Sequence, residues 1–196
     1  MTFIETVPEA QASGRVAEVY AADRAALGRL PNFTQAFSLR PEAYAAWQHL
    51  NATVKGAMDL RRYELVTIAA ARRLRSSYCM LAHGSVLVDR FLEPDVVRTL
   101  GTGHRDAGLD EVDVAVMDVA EKVADDATSV TQEDVDRLRS LGLSDADVLD
   151  VVLAAAMRCF FSKVLDGLGV QPDREYRETL ADDVRDALTV GRPVAD

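Results

Sequence analysis

The segment Asp59–Gly84, DLRRYELVTIAAARRLRSSYCMLAHG, decides the fold prediction because it contains two helix starts in close succession. Asp59 is a favoured residue at a helix N-terminus, and apolar residues follow it at helical spacing to about Leu74. A second helix begins after Ser76 or Ser77, since a serine side chain can accept hydrogen bonds from the unpaired N–H groups of a first turn. The segment therefore predicts two consecutive helices joined by a short link.

Helical spacing of apolar residues continues through the rest of the chain, and no segment shows a convincing strand alternation. The sequence predicts an all-α helical bundle in one domain, 1–196, with a core at about 13–173. The predicted features, in chain order, are a helix after Ser13, a turn at Leu30–Phe33, a helix from Pro41, a loop at Gly101–Gly108, an apolar stripe at Val112–Val123, capping boxes at Thr131/Asp134 and Ser144/Asp147, a C-terminal helix at about Glu175–Leu188 and a frayed tail after Gly191.

A weak internal similarity links two of these helices. Leu60–Ala71 and Leu143–Ala156 both combine a helix start, an acidic residue, a β-branched run and an alanine triplet. Any two amphipathic helices share such features, so identity alone does not favour a repeat. The alternative of two related helical halves stays open at this point.

The composition limits the classes of partner. A formal net charge of −10 argues against nucleic acid and anionic membrane surfaces, because both would repel the chain. No apolar run approaches the length of a membrane span, and the N-terminus lacks the basic and apolar regions of a signal peptide. We therefore expect a cytoplasmic protein whose thiols stay reduced outside redox chemistry.

Cys79 and His83 are four residues apart, which places both side chains on one face of the second helix. The start of a helix is electropositive and favours a thiolate, while the imidazole can act as base or acid. Glu64, on the preceding helix, approaches His83 if the link folds the two helices together. The alternative is structural: a buried cysteine that fills space, a hydrogen-bonded histidine and a surface glutamate.

The segment Glu64–His83 resembles the AhpD-like alkylhydroperoxidase branch of the carboxymuconolactone decarboxylase family. That family's signature is Glu, eleven residues, Cys, two residues, Cys, three residues, His, and it falls here on Glu64, Ser76, Cys79 and His83. The flanking helices, at about 13–173, are similar to the longer, peroxidase-related members. The resemblance implies an AhpD-like fold, thiol-dependent peroxidase chemistry without a metal or organic cofactor, and a homo-oligomer, either a trimer or a hexamer.

Ser76 departs from the signature at the position of the first cysteine. A serine cannot form the disulfide on which the family's dithiol cycle depends, so that cycle is not available to this chain. The resemblance then assigns Cys79 as nucleophile, His83 as acid–base group and Glu64 as the carboxylate that orients it. Ser76 is expected to shape the helix start, with its hydroxyl bonded to the N–H of Cys79.

Several routes remain open for the chemistry. Cys79 attacks a hydroperoxide alone and an external thiol restores it, or Cys159 serves as the resolving thiol, although its apolar stripe suits core packing better. Alternatively, Glu64 and His83 perform cofactor-free acid–base chemistry of the lyase or decarboxylase type on a small lactone or keto acid. A third possibility is a non-catalytic helical oligomer. A metal site from Glu64, Cys79 and His83 lacks a fourth ligand, and none is predicted.

Two remaining groups of polar residues have ordinary interpretations. His104 lies in the glycine-flanked loop, where a solvated side chain is expected. Four arginines flank the Glu64 helix and are expected to pair with carboxylates of this acidic chain, namely Arg61, Arg62, Arg72 and Arg73.

Overall fold

A computed structural model describes residues 2–196, and within that range the chain is helical and has no β-strand. The all-α prediction is confirmed. Short 3-10 turns lie at Glu9–Gln11 and Ala127–Ser129. The α-helices are α1 (Gly14–Leu27), α2 (Asn32–Ala36), α3 (Pro41–Ala57), α4 (Leu60–Arg73), α5 (Ser77–Arg90), α6 (Pro94–Leu100), α7 (Glu111–Asp126), α8 (Gln132–Ser140), α9 (Asp145–Gly167), α10 (Tyr176–Thr179) and α11 (Asp182–Leu188).

Helix α4 lies at the centre of the bundle and packs against α5, α7 and α9. Its residues from Tyr63 to Ala71 are all buried, and the alanine triplet at its end presents only methyl groups to the neighbouring helices. Small side chains at a helix contact allow the backbones to approach closely. Consequently Glu64 is buried in the central helix and is not a surface charge.

Local capping signals locate the starts of α1, α4, α5, α8 and α9. The Asp59 side chain accepts a hydrogen bond from Arg62 N at 3.0 Å. The predicted capping boxes at the starts of α8 and α9 are both present. Ser13 lies at the N-cap position of α1 but makes no side-chain hydrogen bond there.

The prediction of one C-terminal helix at Glu175–Leu188 is wrong, because the segment contains two short helices, α10 and α11. Leu180 separates them in an extended conformation, with φ of −118° and ψ of 143°, and its side chain is buried. Asp182 and Asp183 then occupy the first turn of α11, where carboxylates interact favourably with unpaired N–H groups. This acidic pair is the signal for a second helix start.

The tail after Gly191 is not frayed. The N–H of Gly191 donates to Ser77 Oγ at 2.7 Å, the N–H of Ala195 donates to the Pro172 carbonyl at 2.9 Å, and Val194 is buried. Gly191 lies so near the backbone that a Cβ there would meet the Arg75 carbonyl oxygen at 2.0 Å. The tail therefore packs against the start of α5 and helps to hold it.

Other parts of the chain also depart from expectation. Asn32 opens the short helix α2 where only a turn is predicted, and α6 begins at Pro94, a residue favoured at the first helical position. The loop at Gly101–Gly108 is present, but His104 is buried and pairs with Asp118 at 2.9 Å and with Glu121 at 3.2 Å.

The arginines that flank the centre of the fold pair with carboxylates as expected, in the pairs Arg61–Asp113, Arg62–Asp147, Arg72–Glu121 and Arg73–Asp125. The two helices with similar sequences, α4 and α9, pack against each other. That they represent related halves stays a prediction. Within residues 2–196, no helix has the length and apolar character that crossing a membrane requires.

Candidate active site

Helix α5 folds back against α4, and this arrangement brings His83 onto Glu64. The link between the helices turns at Arg75, whose positive φ of 56° is unusual for a residue other than glycine. Nδ1 of His83 is hydrogen-bonded to Oε2 of Glu64. The approach of these two side chains, expected from the link, is present in the structure.

Lys55, on α3, is a second partner of the buried carboxylate. Its Nζ lies 3.1 Å from Oε1 of Glu64, so each carboxylate oxygen has its own partner. The Glu64 side chain is 0% exposed, whereas that of Lys55 is 40% exposed. A buried carboxylate requires such partners, because removing its charge from water is costly unless it is paired and hydrogen-bonded.

These partners decide the charge of Glu64. Burial alone raises the pKa of its carboxyl group, but His83 and Lys55 outweigh that effect and lower the pKa from 4.5 to about 2. Glu64 is therefore ionised at neutral pH and accepts hydrogen bonds at both oxygens.

His83 is the neutral member of the pair. Burial lowers the pKa of its imidazole below 6.5, Arg158 lowers it further, and Glu64 opposes these effects only in part. An ionised carboxylate is acceptor-only, so Nδ1 carries the hydrogen and Nε2 keeps its lone pair. His83 thus offers a free base at Nε2.

Cys79 is the third residue of α5, and its side chain is buried. Its sulfur accepts hydrogen bonds from two residues of α9, from Ser162 Oγ at 3.2 Å and from the Arg158 guanidinium at 3.6 Å. In the described range, no hydrogen bond joins the sulfur to His83, although their four-residue spacing allows one. The two residues instead line the same cavity.

That cavity has a volume of about 490 Å³ and contains Glu64, Cys79 and His83 in its wall. Much of the remaining wall is aromatic, and Trp47 stacks on Phe161 with 3.9 Å between ring centroids. The aromatic residues of the wall are Phe33, Trp47, Tyr63, Tyr78, Phe161 and Tyr176. Such a chamber suits a small organic molecule whose apolar part contacts the rings.

Ser76 takes the predicted position at the start of α5 but not the predicted hydrogen bond. It occupies the N-cap position of α5, but its side chain makes no capping hydrogen bond, so the expected bond to the N–H of Cys79 is absent. The residue is fully buried and does not line the cavity. Its hydroxyl lies beside Asp166, where burial raises the pKa of the carboxyl and Ser76 offsets only part of that effect. The structure therefore separates Ser76 from the other three predicted residues.

Sequence reasoning missed the contribution of α9 to this site. Arg158 and Ser162 contact the Cys79 sulfur, and Arg158 also donates to the Tyr63 hydroxyl at 3.2 Å. One signal was available: Arg158 is a lone charge in the otherwise apolar run Ala154–Phe161. Charged residues are rarely buried without a specific partner, so such an arginine indicates a polar site.

Cys159 does not belong to the cavity wall. Both cysteines are free thiols, and Cys159 is half-buried, with its pKa raised mainly by burial. Across residues 2–196, no group of three or more His, Cys, Asp or Glu side chains is arranged to hold a metal ion.

Comparison with known proteins shows where this fold occurs. No family model matches the chain, and no curated protein is similar enough in sequence to match. Solved structures do match. A peroxidase-related protein from Ralstonia eutropha JMP134 with an alkylhydroperoxidase AhpD core has a TM-score of 0.81 at 20% identity, covering 89% of this chain and 94% of its own.

The chain has the AhpD-core fold. A peroxidase-related protein from Silicibacter sp. TM1040 has a TM-score of 0.75 at 20% identity, over 89% of this chain and 90% of its own. The debrominase Bmp8 has a TM-score of 0.73 at 14% identity, over 91% of this chain and 96% of its own. A cysteine-to-alanine variant of Bmp8 has been solved in complex with 2,3,4-tribromopyrrole. At these identities the likeness establishes the AhpD-core fold of the chain.

The Glu64→Gln variant tests the buried charge. Because the folded-state pKa of Glu64 is depressed to about 2, its ionised form contributes stability that is fully present above pH 4.5 and lost as the pH falls toward 2. We expect the variant to be less stable than the wild type at pH 7, where Lys55 and the Nδ1–H of His83 pair the carboxylate, with a difference that narrows as the pH falls below 4.5. Urea unfolding at a series of pH values measures this difference.

Glu42→Gln is the matched control, because the Glu42 side chain is 78% exposed. Its unfolding free energy should stay close to that of the wild type at every pH. A Glu64→Gln variant that is as stable as the wild type at pH 7, or one whose deficit does not change with pH, would contradict the assignment.

Proposed function

We propose that this chain is a thiol-dependent hydroperoxidase that uses one cysteine. The observation that carries the proposal is the cavity wall, where Cys79 receives two hydrogen bonds beside a neutral His83 and an ionised Glu64. A sulfur with stabilising donors and a nearby base is the arrangement that nucleophilic catalysis by cysteine requires. The AhpD-core fold supports this choice, since two of its similar structures are peroxidase-related proteins.

The reaction begins when the Cys79 thiolate attacks the outer oxygen of a hydroperoxide. A sulfur–oxygen bond forms, the oxygen–oxygen bond breaks, and Cys79 becomes a sulfenic acid. The departing alkoxide needs a proton. Nε2 of His83 takes this proton from solvent in the cavity and gives it to the alkoxide. Glu64 holds the imidazole by its Nδ1–H, which leaves Nε2 free to carry that proton.

An external thiol must complete the cycle, because Ser76 replaces the first cysteine of the signature and Cys159 lies outside the cavity wall. One thiol condenses with the sulfenic acid to give a mixed disulfide and water. A second thiol then displaces Cys79 and leaves as the oxidised disulfide, which restores the enzyme. The proposed partners are thus a small hydroperoxide and a low-molecular-weight thiol, in a reducing cytoplasm.

Reductive dehalogenation is the second candidate function. Aromatic side chains make up much of the cavity wall, and Bmp8, which shares the fold, is a debrominase. In that reaction the thiolate would take the halogen from an aromatic ring, and the ring carbon would gain a proton. Two external thiols would then supply the electrons, releasing halide and a disulfide. A flat halogenated aromatic is the substrate that the stacked rings would favour.

Cys79→Ser is the direct test of a cysteine-dependent function. We expect the wild type to consume cumene hydroperoxide in the presence of dithiothreitol, and the variant to lose at least about 100-fold of that rate, because a serine hydroxyl is far less nucleophilic than a thiolate. The remaining peroxide is measured in samples quenched at successive times. Cys159→Ser is the matched control and should retain the wild-type rate.

Equal rates for the wild type and Cys79→Ser would remove the hydroperoxidase proposal. The same pair of proteins assayed for bromide release from a bromopyrrole separates the second candidate. Turnover of a small lactone or keto acid that survives Cys79→Ser and disappears in Glu64→Gln would instead favour the acid–base hypothesis.

We also propose a homo-oligomer, as the resemblance of the sequence implies. Large apolar side chains are exposed on α9, with Leu149 57% and Phe160 48% exposed, which is the kind of surface that a second copy would cover. Light scattering is expected to give a mass of three or six chains for the wild type and a lower mass for Phe160→Asp. A monomeric mass for the wild type would contradict this proposal.

A further inference from the structure

Arg158 is a buried positive charge without a carboxylate partner. It is 3% exposed, and within the described part of the chain no Asp or Glu lies within ion-pair distance of its guanidinium. Burial lowers the pKa of Arg158, but Cys79 and Tyr63 raise it by more, so the guanidinium stays charged. A charge in such a place requires a counter-charge, because its hydration has been lost.

The counter-charge must lie among the groups that Arg158 contacts. The guanidinium is 3.6 Å from the Cys79 sulfur and 3.2 Å from the Tyr63 hydroxyl, and it lies 5.6 Å from the centre of the Phe161 ring. Arg158 also lines the cavity, but the sulfur and the phenol are the groups of the chain that already contact its guanidinium. Within the described residues, the choice of counter-charge therefore lies between these two groups.

Tyr63 is excluded as the anion by its own hydrogen bonds. Its hydroxyl donates to Asn51 Oδ1 at 2.6 Å while it accepts from Arg158, so it keeps its proton. The sulfur behaves differently. It contacts the Arg158 guanidinium, which can only donate, and it lies 3.2 Å from the Ser162 hydroxyl, which can donate to it when the sulfur is ionised.

We propose that Arg158 is the counter-ion of a Cys79 thiolate, with the Ser162 hydroxyl as its second donor. The thiol proton leaves to solvent through the cavity, and the guanidinium and the thiolate neutralise each other. Arg158 touches the reacting atom and so becomes a catalytic residue, an assignment that rests on the proposed function. The charge on the sulfur is independent of what the cavity binds.

Several helices contribute charged or titratable side chains to the cavity that contains the Cys79 sulfur. Of these charged groups, Arg158 is the one that contacts the sulfur. The negative charge of Glu64 is met by Lys55 and His83, which leaves Arg158 as the uncompensated cation. The groups that surround the cavity are Arg29, Lys55, Tyr63, Glu64, Tyr78, His83, Asp89, Arg158 and Tyr176.

Alkylation with iodoacetamide, read residue by residue by mass spectrometry, tests the proposal without any substrate. The reagent is small and uncharged, and Cys159 in the same molecule is the internal reference, since burial raises the pKa of its thiol. We expect Cys79 of the wild type to react at pH 6 at nearly its rate at pH 8, whereas Cys159 slows by about tenfold or more.

Arg158→Met and Arg158→Lys form the matched pair of variants. The methionine variant removes the charge and suits a buried site, so we expect it to fold and to lose about tenfold or more of the Cys79 rate at pH 6. The lysine variant keeps the charge and should retain most of that rate. Absorbance of the thiolate at about 240 nm in a Cys159→Ser background provides a measure that does not depend on reagent access.

The outcomes either support or overturn the assignment of Arg158 as the counter-ion of the Cys79 thiolate. A Cys79 rate that falls with pH as steeply as that of Cys159, in a wild-type protein without thiolate absorbance at pH 6, overturns the proposal. The same holds if Arg158→Met keeps the wild-type profile. If Arg158→Met does not fold, the wild-type absorbance and the profile of Ser162→Ala decide. A thiolate that never reduces a hydroperoxide would support the counter-ion and remove the proposed function.

Discussion

The Glu64 carboxylate is completely buried in the central helix, and the rest of the site is arranged around the need to neutralise it. One oxygen is bonded to His83 and the other to Lys55. These contacts hold α3 and α5 at fixed positions against α4. They also fix the hydrogen on Nδ1 of the imidazole, which leaves Nε2 free. One buried charge therefore determines both the local packing and the protonation of the catalytic base that we propose.

A second buried charge completes the wall from the opposite side. The guanidinium of Arg158 on α9 contacts the Cys79 sulfur, which we propose as the nucleophile. The Glu64 charge is already paired with Lys55, whereas the Arg158 charge has no carboxylate partner among the described residues. Charges that are enclosed interact more strongly than the same charges in water. Because α9 is also a main packing partner of α4, the core packing of the bundle sets the separation of these groups. Stability and proposed chemistry thus depend on the same contacts.

How much of this could be predicted from the sequence depended on how local each signal was. The starts of α4, α8 and α9 followed from capping residues within one turn, and the Glu64–His83 contact followed from one short link. Arg158 is 79 residues from Cys79 in the chain, so no spacing rule could connect them. The N-cap position of Ser76 is as predicted, but its hydrogen bond is not, because residue type indicates a capping preference and not what the tertiary packing does with the hydroxyl.

The C-terminal segment shows the same limit. Its apolar spacing suggested one helix and a loose end, yet the chain turns at Leu180 and the tail returns to bond with Ser77 at the start of α5. That contact joins residues 114 positions apart and depends on a close backbone approach at Gly191. Periodicity reports which face of a segment is apolar, but it does not report where a chain returns to the core.

The protonation state of His83 is the most direct test. The ionised Glu64 carboxylate requires a hydrogen on Nδ1 of the imidazole, and the proposed chemistry requires an unprotonated Nε2. Nitrogen NMR of the imidazole side chains, with His83→Gln to assign the signal, reads each ring nitrogen separately. At pH 7 we expect a neutral ring with the hydrogen on Nδ1 and a bare Nε2. A ring protonated at both nitrogens, or one that carries its hydrogen only at Nε2, would contradict it.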